Sequence, residues 1–177
     1  MSARAALKLR AEDDDDLAIM SACLRDAFAS LGEMAYDREA RRFAAIFVRP
    51  LWETAPPEDE DVPEKTILDS ANLARMRTGL HFDHVSAVRF RRLDRSTPHL
   101  LLHLVAIVSA SLSERFAIIL SFEGGGEVFL EVDKIRGQMR DLDAPPPDNT
   151  PSDSTQTTDK PATNTPAKDG NYEDNIF

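Results

Sequence analysis

The chain has a single cysteine in 177 residues, no long hydrophobic run and fewer cations than anions. One Cys excludes a disulfide-stapled secreted scaffold and any Cys-rich zinc module. The longest nearly apolar stretch, Leu100 to Leu112, is 13 residues interrupted by His103, too short to cross a bilayer. The opening MSARAALKLRAEDDDD reaches its acids before any apolar stretch, so no signal peptide is expected. The expected location is a reducing cytoplasm, with no membrane attachment. The motifs of common catalysts are missing too: there is no G-x-S-x-G, no P-loop and no G-x-G-x-x-G after a strand. Gly124-Gly125-Gly126 precedes a strand pattern, whereas phosphate-cradling loops open a helix, so it is expected to be a hairpin turn. No catalytic residue, metal or cofactor is expected, and the balance leans away from an enzyme.

Lys and Arg number 21 against 31 Asp and Glu, a formal net charge of −10. Taken whole, this argues against broad electrostatic capture of nucleic acid. The charge is uneven, however. Residues 54–70 carry three prolines, six acids and one Lys, and are expected to form an acidic flexible loop. Residues 144–177 begin Ala-Pro-Pro-Pro and continue in Thr, Asp, Asn and Ser, with six acids and two Lys. That composition cannot offset the entropy of ordering, so a disordered acidic tail is expected. Removing both segments leaves a net charge of −1 on the other 126 residues. A hydrophobic fraction of 42% suffices for a core, and the length fits one domain, residues 1–143, plus these appendages.

Within that domain, Leu7 to Arg10 alternates apolar and basic and reads as a strand. Asp13 to Asp16 then precede Leu17, Met20, Leu24, Ala27, Phe28 and Leu31, one stripe of a helix. The aspartates suit an N-cap and a first turn favoured by the helix dipole. Cys23 falls among apolar neighbours and is expected to be a small packed residue. Glu33 to Tyr36 and Arg42 to Trp52 read as a hairpin around Asp37 to Ala40. Leu73 to Phe82 and Val85 to Leu93 alternate with period two. Leu100 to Val108 suits a central strand covered on both faces. Arg115 to Phe122 and Glu127 to Val132 flank the Gly turn. Asp133 is then placed to cap a last helix with Ile135, Met139 and Leu142 on one stripe, although Gly137 weakens it by about 1 kcal/mol. The expected class is α+β: a curved, mostly antiparallel sheet or partly open barrel with one helix early and one at the end, an arrangement compatible with pleckstrin-homology-like folds.

Three groups of residues stand out. Arg75, Arg77, Arg89 and Arg91 lie on two neighbouring strands. Were those strands a hairpin, Arg77 would face Arg89 and Arg75 would face Arg91, and an anion would relieve the repulsion. The competing expectation is a solvated face whose arginines pair with Glu127 or Glu131. The acidic run Glu58 to Asp61, just upstream, has the sign needed to cover such a face. The second group is the turn His81, Asp83 and His84, a candidate pocket for a phosphorylated or anionic metabolite. With no H-E-x-x-H and no Cys partner, these histidines are not expected to hold a metal. The third is Ile176 and Phe177, an apolar tip after acids that could dock into a basic-rimmed pocket of a partner. A non-catalytic interaction module with an Arg-bearing sheet face is the leading expectation, its partner a protein reached through that face or the tail tip. A small-ligand protein or enzyme using the histidine turn is the alternative.

Four stretches in order, LKLRAEDDDDLAIMSACLRDA, MAYDREARRFAAIFVRPLWE, RMRTGLHFDHV and FEGGGEVFLEVDKIRGQMRDL, together resemble the alphaproteobacterial family called domain of unknown function 2948. The resemblance spans roughly Leu7 to Leu142. It implies a small cytosolic bacterial protein with no assigned activity and no defined catalytic residues.

Overall fold

Asp13 starts the helix. In the computed structural model, which describes residues 6–54 and 70–142, strand β1 (Lys8–Ala11) runs into helix α1 (Asp14–Cys23). The Asp13 carboxylate accepts the Asp16 N–H at 2.8 Å, and the Asp16 carboxylate accepts the Glu12 N–H at 3.0 Å. The first bond satisfies a donor that the helix start would leave orphaned, and the second ties down the residue before the cap. Leu17, Met20 and Leu24 are buried. The apolar spacing that continues to Leu31 is not all helix, because the chain turns at Asp26 (φ 58°) and extends into β2 (Phe28–Ser30). Ala27 is where tertiary pairing takes over: its carbonyl accepts the Leu104 N–H at 2.8 Å.

The remaining strands are β3 (Met34–Asp37), β4 (Arg42–Pro50), β5 (Arg75–Phe82), β6 (Val85–Arg91), β7 (Leu101–Leu112), β8 (Arg115–Phe122), β9 (Glu127–Val132) and β10 (Gly137–Asp141). They form one ten-stranded antiparallel sheet in the order β1-β10-β5-β4-β2-β7-β8-β9-β6, with β3 also paired to β4. The path is open, ending at β1 and β6. With one helix against this sheet, the class is α+β. No helix among the described residues is long and apolar enough to cross a membrane.

Three expectations are corrected. First, the closing segment is a strand, not a helix. Gly137, Met139 and Asp141 are buried while Gln138 and Arg140 face outward, a period of two. β10 fills the gap between β1 and β5, and Gly137 lies flat against the Phe82 ring: a Cβ there would stand 2.6 Å from its Cε1. Second, β5 and β6 are consecutive but do not pair. β5 lies between β4 and β10, whereas β6 pairs β9. The Asp83-His84 corner, with His84 at φ 60°, carries the chain from one half of the sheet to the other. Third, β7 is central in strand order but covered on one side only. Leu102, Leu104 and Ile107 point into the core; Leu101, Val105 and Val108 are 54%, 55% and 47% exposed.

Beyond the short β2, the free edge of β7 is covered by α1. Ser21 Oγ accepts the Ile107 N–H at 2.8 Å, and the Ser109 hydroxyl donates to Asp14. A helix laid along an edge blunts its tendency to pair with another chain. At the end of the β10-β5-β4 half, Arg49 is fully buried. Its Nε and Nη2 donate to the two Asp141 oxygens at 3.0 and 2.8 Å, and its Nη1 and Nη2 donate to Glu53 at 3.0 and 2.9 Å. Thr78 Oγ1 and the Leu7 N–H also donate to Asp141, at 2.7 and 3.0 Å. Burial opposes ionisation of both groups, but these bonds outweigh it: the Asp141 carboxyl is held below its usual pKa and the Arg49 guanidinium is raised.

Candidate anion-binding face

The arginines divide between two regions of the sheet's outer face. Arg77 stands opposite Val48 on β4, and Arg89 stands opposite Phe129 on β9, so the four do not converge. Arg89 pairs with Glu131 at 2.6 Å and Arg91 with Glu127 at 3.2 Å; Arg115 stands 3.9 Å from both Glu131 and Asp133. The outer face of β6, β9 and β8 is therefore charge-matched. Arg75 takes a third course, lying 5.3 Å over the Phe28 ring and donating to the Asp26 carbonyl at 3.4 Å.

Arg77 belongs to a different surface. Register places Lys8, Arg140, Gly79 and Ile46 in one row across β1, β10, β5 and β4, and Arg10, Gln138, His81 and Ala44 in the next. Along this outer face runs a groove of about 520 Å³. Gly79, Ala44 and Ala35 line it as small residues, Lys8 and Arg140 as cations, and Glu33 as an acid. Gly79 carries no side chain where Leu142 lies close: a Cβ would stand 3.3 Å from Leu142 Cδ2. Arg77 is exposed, two residues along β5 from Gly79. Among the described residues no carboxylate lies within ion-pair distance of Lys8, Arg10, Arg77 or Arg140.

His81 lines the groove beside these cations. Partial burial and the nearby Arg42 charge lower its pKa, against the opposite pull of Asp83. Its Nε2 lies 3.9 Å from Asp83 Oδ2, beyond hydrogen-bond reach. Asp83 instead accepts from Arg42 Nε at 2.6 Å, and this bond holds its carboxyl below the usual range despite burial. His84 serves the corner: its carbonyl accepts the Asp133 N–H at 3.2 Å and Arg41 Nη2 at 3.4 Å. His81 and Asp83 are brought near one another, then, but without the hydrogen bond that orients a general base.

A family model for a protein of unknown function, DUF2948, matches residues 7–155. The chain belongs to this family. The DUF2948 match takes in the helix and all ten strands. No curated protein and no solved structure matches. The acidic run at Glu58 to Asp61 and the tail tip Ile176 and Phe177 lie outside the described residues of this DUF2948 protein. Reading the sequence also missed two cations of the groove. Arg140 was concealed by the helical reading of the last segment; the alternation of its burial would have revealed it. Lys8 stood in a strand correctly read, but its neighbour on β10 is 132 positions away and leaves no local signal.

Proposed function

We propose that this DUF2948 protein is a non-catalytic binding module that takes an acidic peptide segment of a partner protein across the outer face of β1, β10, β5 and β4. The observation that carries the reading is the contrast between two regions of the sheet's outer face. Arg89, Arg91 and Arg115 have carboxylates beside them; Lys8, Arg10, Arg77 and Arg140 have none among the described residues. Unpaired guanidinium groups on a common face suit carboxylates, which they bind bidentately. The small residues of the groove leave room for an extended chain, and Leu142 and Ile46 offer apolar contact to it. A core of net charge −1 lacks the excess of cations that polyanion capture by nucleic-acid binders requires.

A labelled hexaglutamate peptide, followed by fluorescence anisotropy at low salt, tests this. Arg77→Gln combined with Arg140→Gln should weaken binding at least about tenfold, through the loss of two charge-assisted contacts. Arg89→Gln combined with Arg91→Gln should leave it within about twofold. Equal losses in the two double variants would show that the peptide reads charge anywhere on the surface and would remove the proposal. A second reading, a small phosphorylated metabolite, is favoured by the imidazole of His81 lining the groove together with Lys8 and Arg140. It predicts that inorganic phosphate displaces the peptide and that His81→Ala abolishes the displacement.

A further inference from the structure

The sheet path ends at β6 and at β1, and the two ends are finished differently. β6 is bulged between Val85 and Ala87. The Val85 N–H donates to the Arg41 carbonyl at 2.9 Å, and the Val85 carbonyl accepts the Tyr36 hydroxyl at 3.1 Å. A bulge and a covering segment keep an edge from pairing with another chain. β1 has neither: it is regular, and its residues pair β10 one for one.

Antiparallel partners alternate between residues that exchange hydrogen bonds and residues that turn their backbone groups away. The Asp141 N–H donates to the Leu7 carbonyl at 3.0 Å, which sets the phase. Leu9 and Ala11 therefore exchange bonds with Met139 and Gly137, while Lys8 and Arg10 present their N–H and C=O outward. Those outward groups have no hydrogen-bond partner among the described residues. The side chains of Lys8 and Arg10 are exposed, and neither has a carboxylate within ion-pair distance among the described residues. The inner side of the edge is unfinished as well. Met139, Leu80 and Ala45 continue the row of Leu9 and are 0%, 1% and 3% exposed, whereas Leu9 is only partly buried.

We infer that the acidic segment of the partner is held at this edge as an added strand, antiparallel to β1, the sense of every pairing in this sheet. The inference rests on the acidic-segment reading for the sign of the partner's charge, and adds the backbone contacts that hold it. Segment residues opposite Lys8 and Arg10 each exchange two hydrogen bonds with them and point to the outer face. Glu or Asp at both positions meets the Lys8 and Arg10 charges across the strand pair. The residue between points inward beside Leu9, where a β-branched apolar side chain extends the row. The pattern recognised is acid, apolar, acid, in extended form. Strand addition takes its affinity from the main chain and its specificity from alternate side chains. Arg140 stands opposite Lys8 on β10, so the cations of the groove continue the same charged row.

The peptide Glu-Val-Glu-Val-Glu-Val-Glu, labelled at its N-terminus, tests the edge by fluorescence anisotropy on the full chain. One derivative carries backbone N-methyl groups on its glutamates, another on its valines; the side chains are the same in both. Methylation of the glutamates removes the donors that face β1 and should weaken binding at least about tenfold. Methylation of the valines falls on the solvent edge and should leave binding within about threefold. Arg10→Pro removes an outward N–H that β10 does not use, so the circular dichroism spectrum should be that of the parent. It should weaken binding of the unmethylated peptide more than Arg10→Gln does. Equal losses from the two methylated peptides, or none from either, overturn the added strand, as does an Arg10→Pro chain that binds like Arg10→Gln. If hexaglutamate still responds to the Arg77 and Arg140 changes, the acidic-segment reading stands and only the edge falls. A chain that binds neither parent peptide overturns both.

Discussion

Arg49→Ala will cost about 3–5 kcal/mol of stability, out of the roughly 5–15 kcal/mol that a domain of this size has. Arg49 is fully buried and neutralises Asp141 and Glu53 at once. Alanine leaves Asp141, itself 5% exposed, with only Thr78 and the Leu7 N–H as donors. The loss should appear as a fall in the melting temperature on the order of 10–20 °C. Arg49→Met with Asp141→Leu, which removes both charges together, should recover part of it, because a matched apolar pair carries no desolvation penalty. A single variant that melts within a few degrees of the parent would show that Arg49 contributes packing alone. The pH dependence has a definite sign. The folded-state pKa of Asp141 is depressed, so its contribution is complete above the unfolded value of about 3.9 and disappears as pH falls through the lower, folded value. The parent should hold this term down to about pH 4. In Arg49→Ala the burial of Asp141 is no longer offset by the guanidinium, and the acid transition should begin at higher pH.

Gly137→Ala should destabilise the protein by about 1–3 kcal/mol, and the sign of the effect is the informative part. Had Gly137 lain inside a helix, alanine would have stabilised it by about 1 kcal/mol. In β10 the new methyl carbon would stand 2.6 and 2.9 Å from two ring carbons of Phe82, and that ring is fully buried. Urea unfolding measures the difference. A more stable alanine variant would mean that the segment is helical after all. Adding Phe82→Leu to Gly137→Ala should return part of the loss, since it removes the ring that the methyl meets, even though Phe82→Leu alone removes core volume.

These two residues also mark the limit of what local pattern can reveal. The early strands, the helix start and the Gly hairpin were legible, because each depends on neighbours within a few positions: Asp13 on Asp16, Tyr36 on Phe43, Phe122 on Gly126. The last segment misled because Ile135, Met139 and Leu142 fit a helical spacing as well as Gly137, Met139 and Asp141 fit a strand. Choosing between them depends on a slot between β1 and β5 that only the finished fold creates. Asp141 reads as a surface acid until Arg49, 92 positions away, is beside it. The arginine strands misled through adjacency: a short corner between two alternating runs suggests a hairpin, but each run has a better partner elsewhere. β7 was read as covered on both faces because an apolar strand covered on one side and one covered on both are alike in composition. The basic region around the groove was out of reach, since its cations come from β1, β5 and β10, and only β5 had been recognised as part of a basic surface.

The pairing of β1 with β10 has a consequence for synthesis. The Leu7 N–H finds its acceptor on Asp141, 134 positions later. A ribosome adding about 5–20 residues each second leaves β1 without its neighbour for on the order of ten seconds. Through that interval the first strand to emerge lacks the one strand it pairs with, and α1 gains β7 only after residue 112 has been added. The domain therefore cannot close progressively from its beginning. The first strand is seated only when the last one slides between it and the fifth.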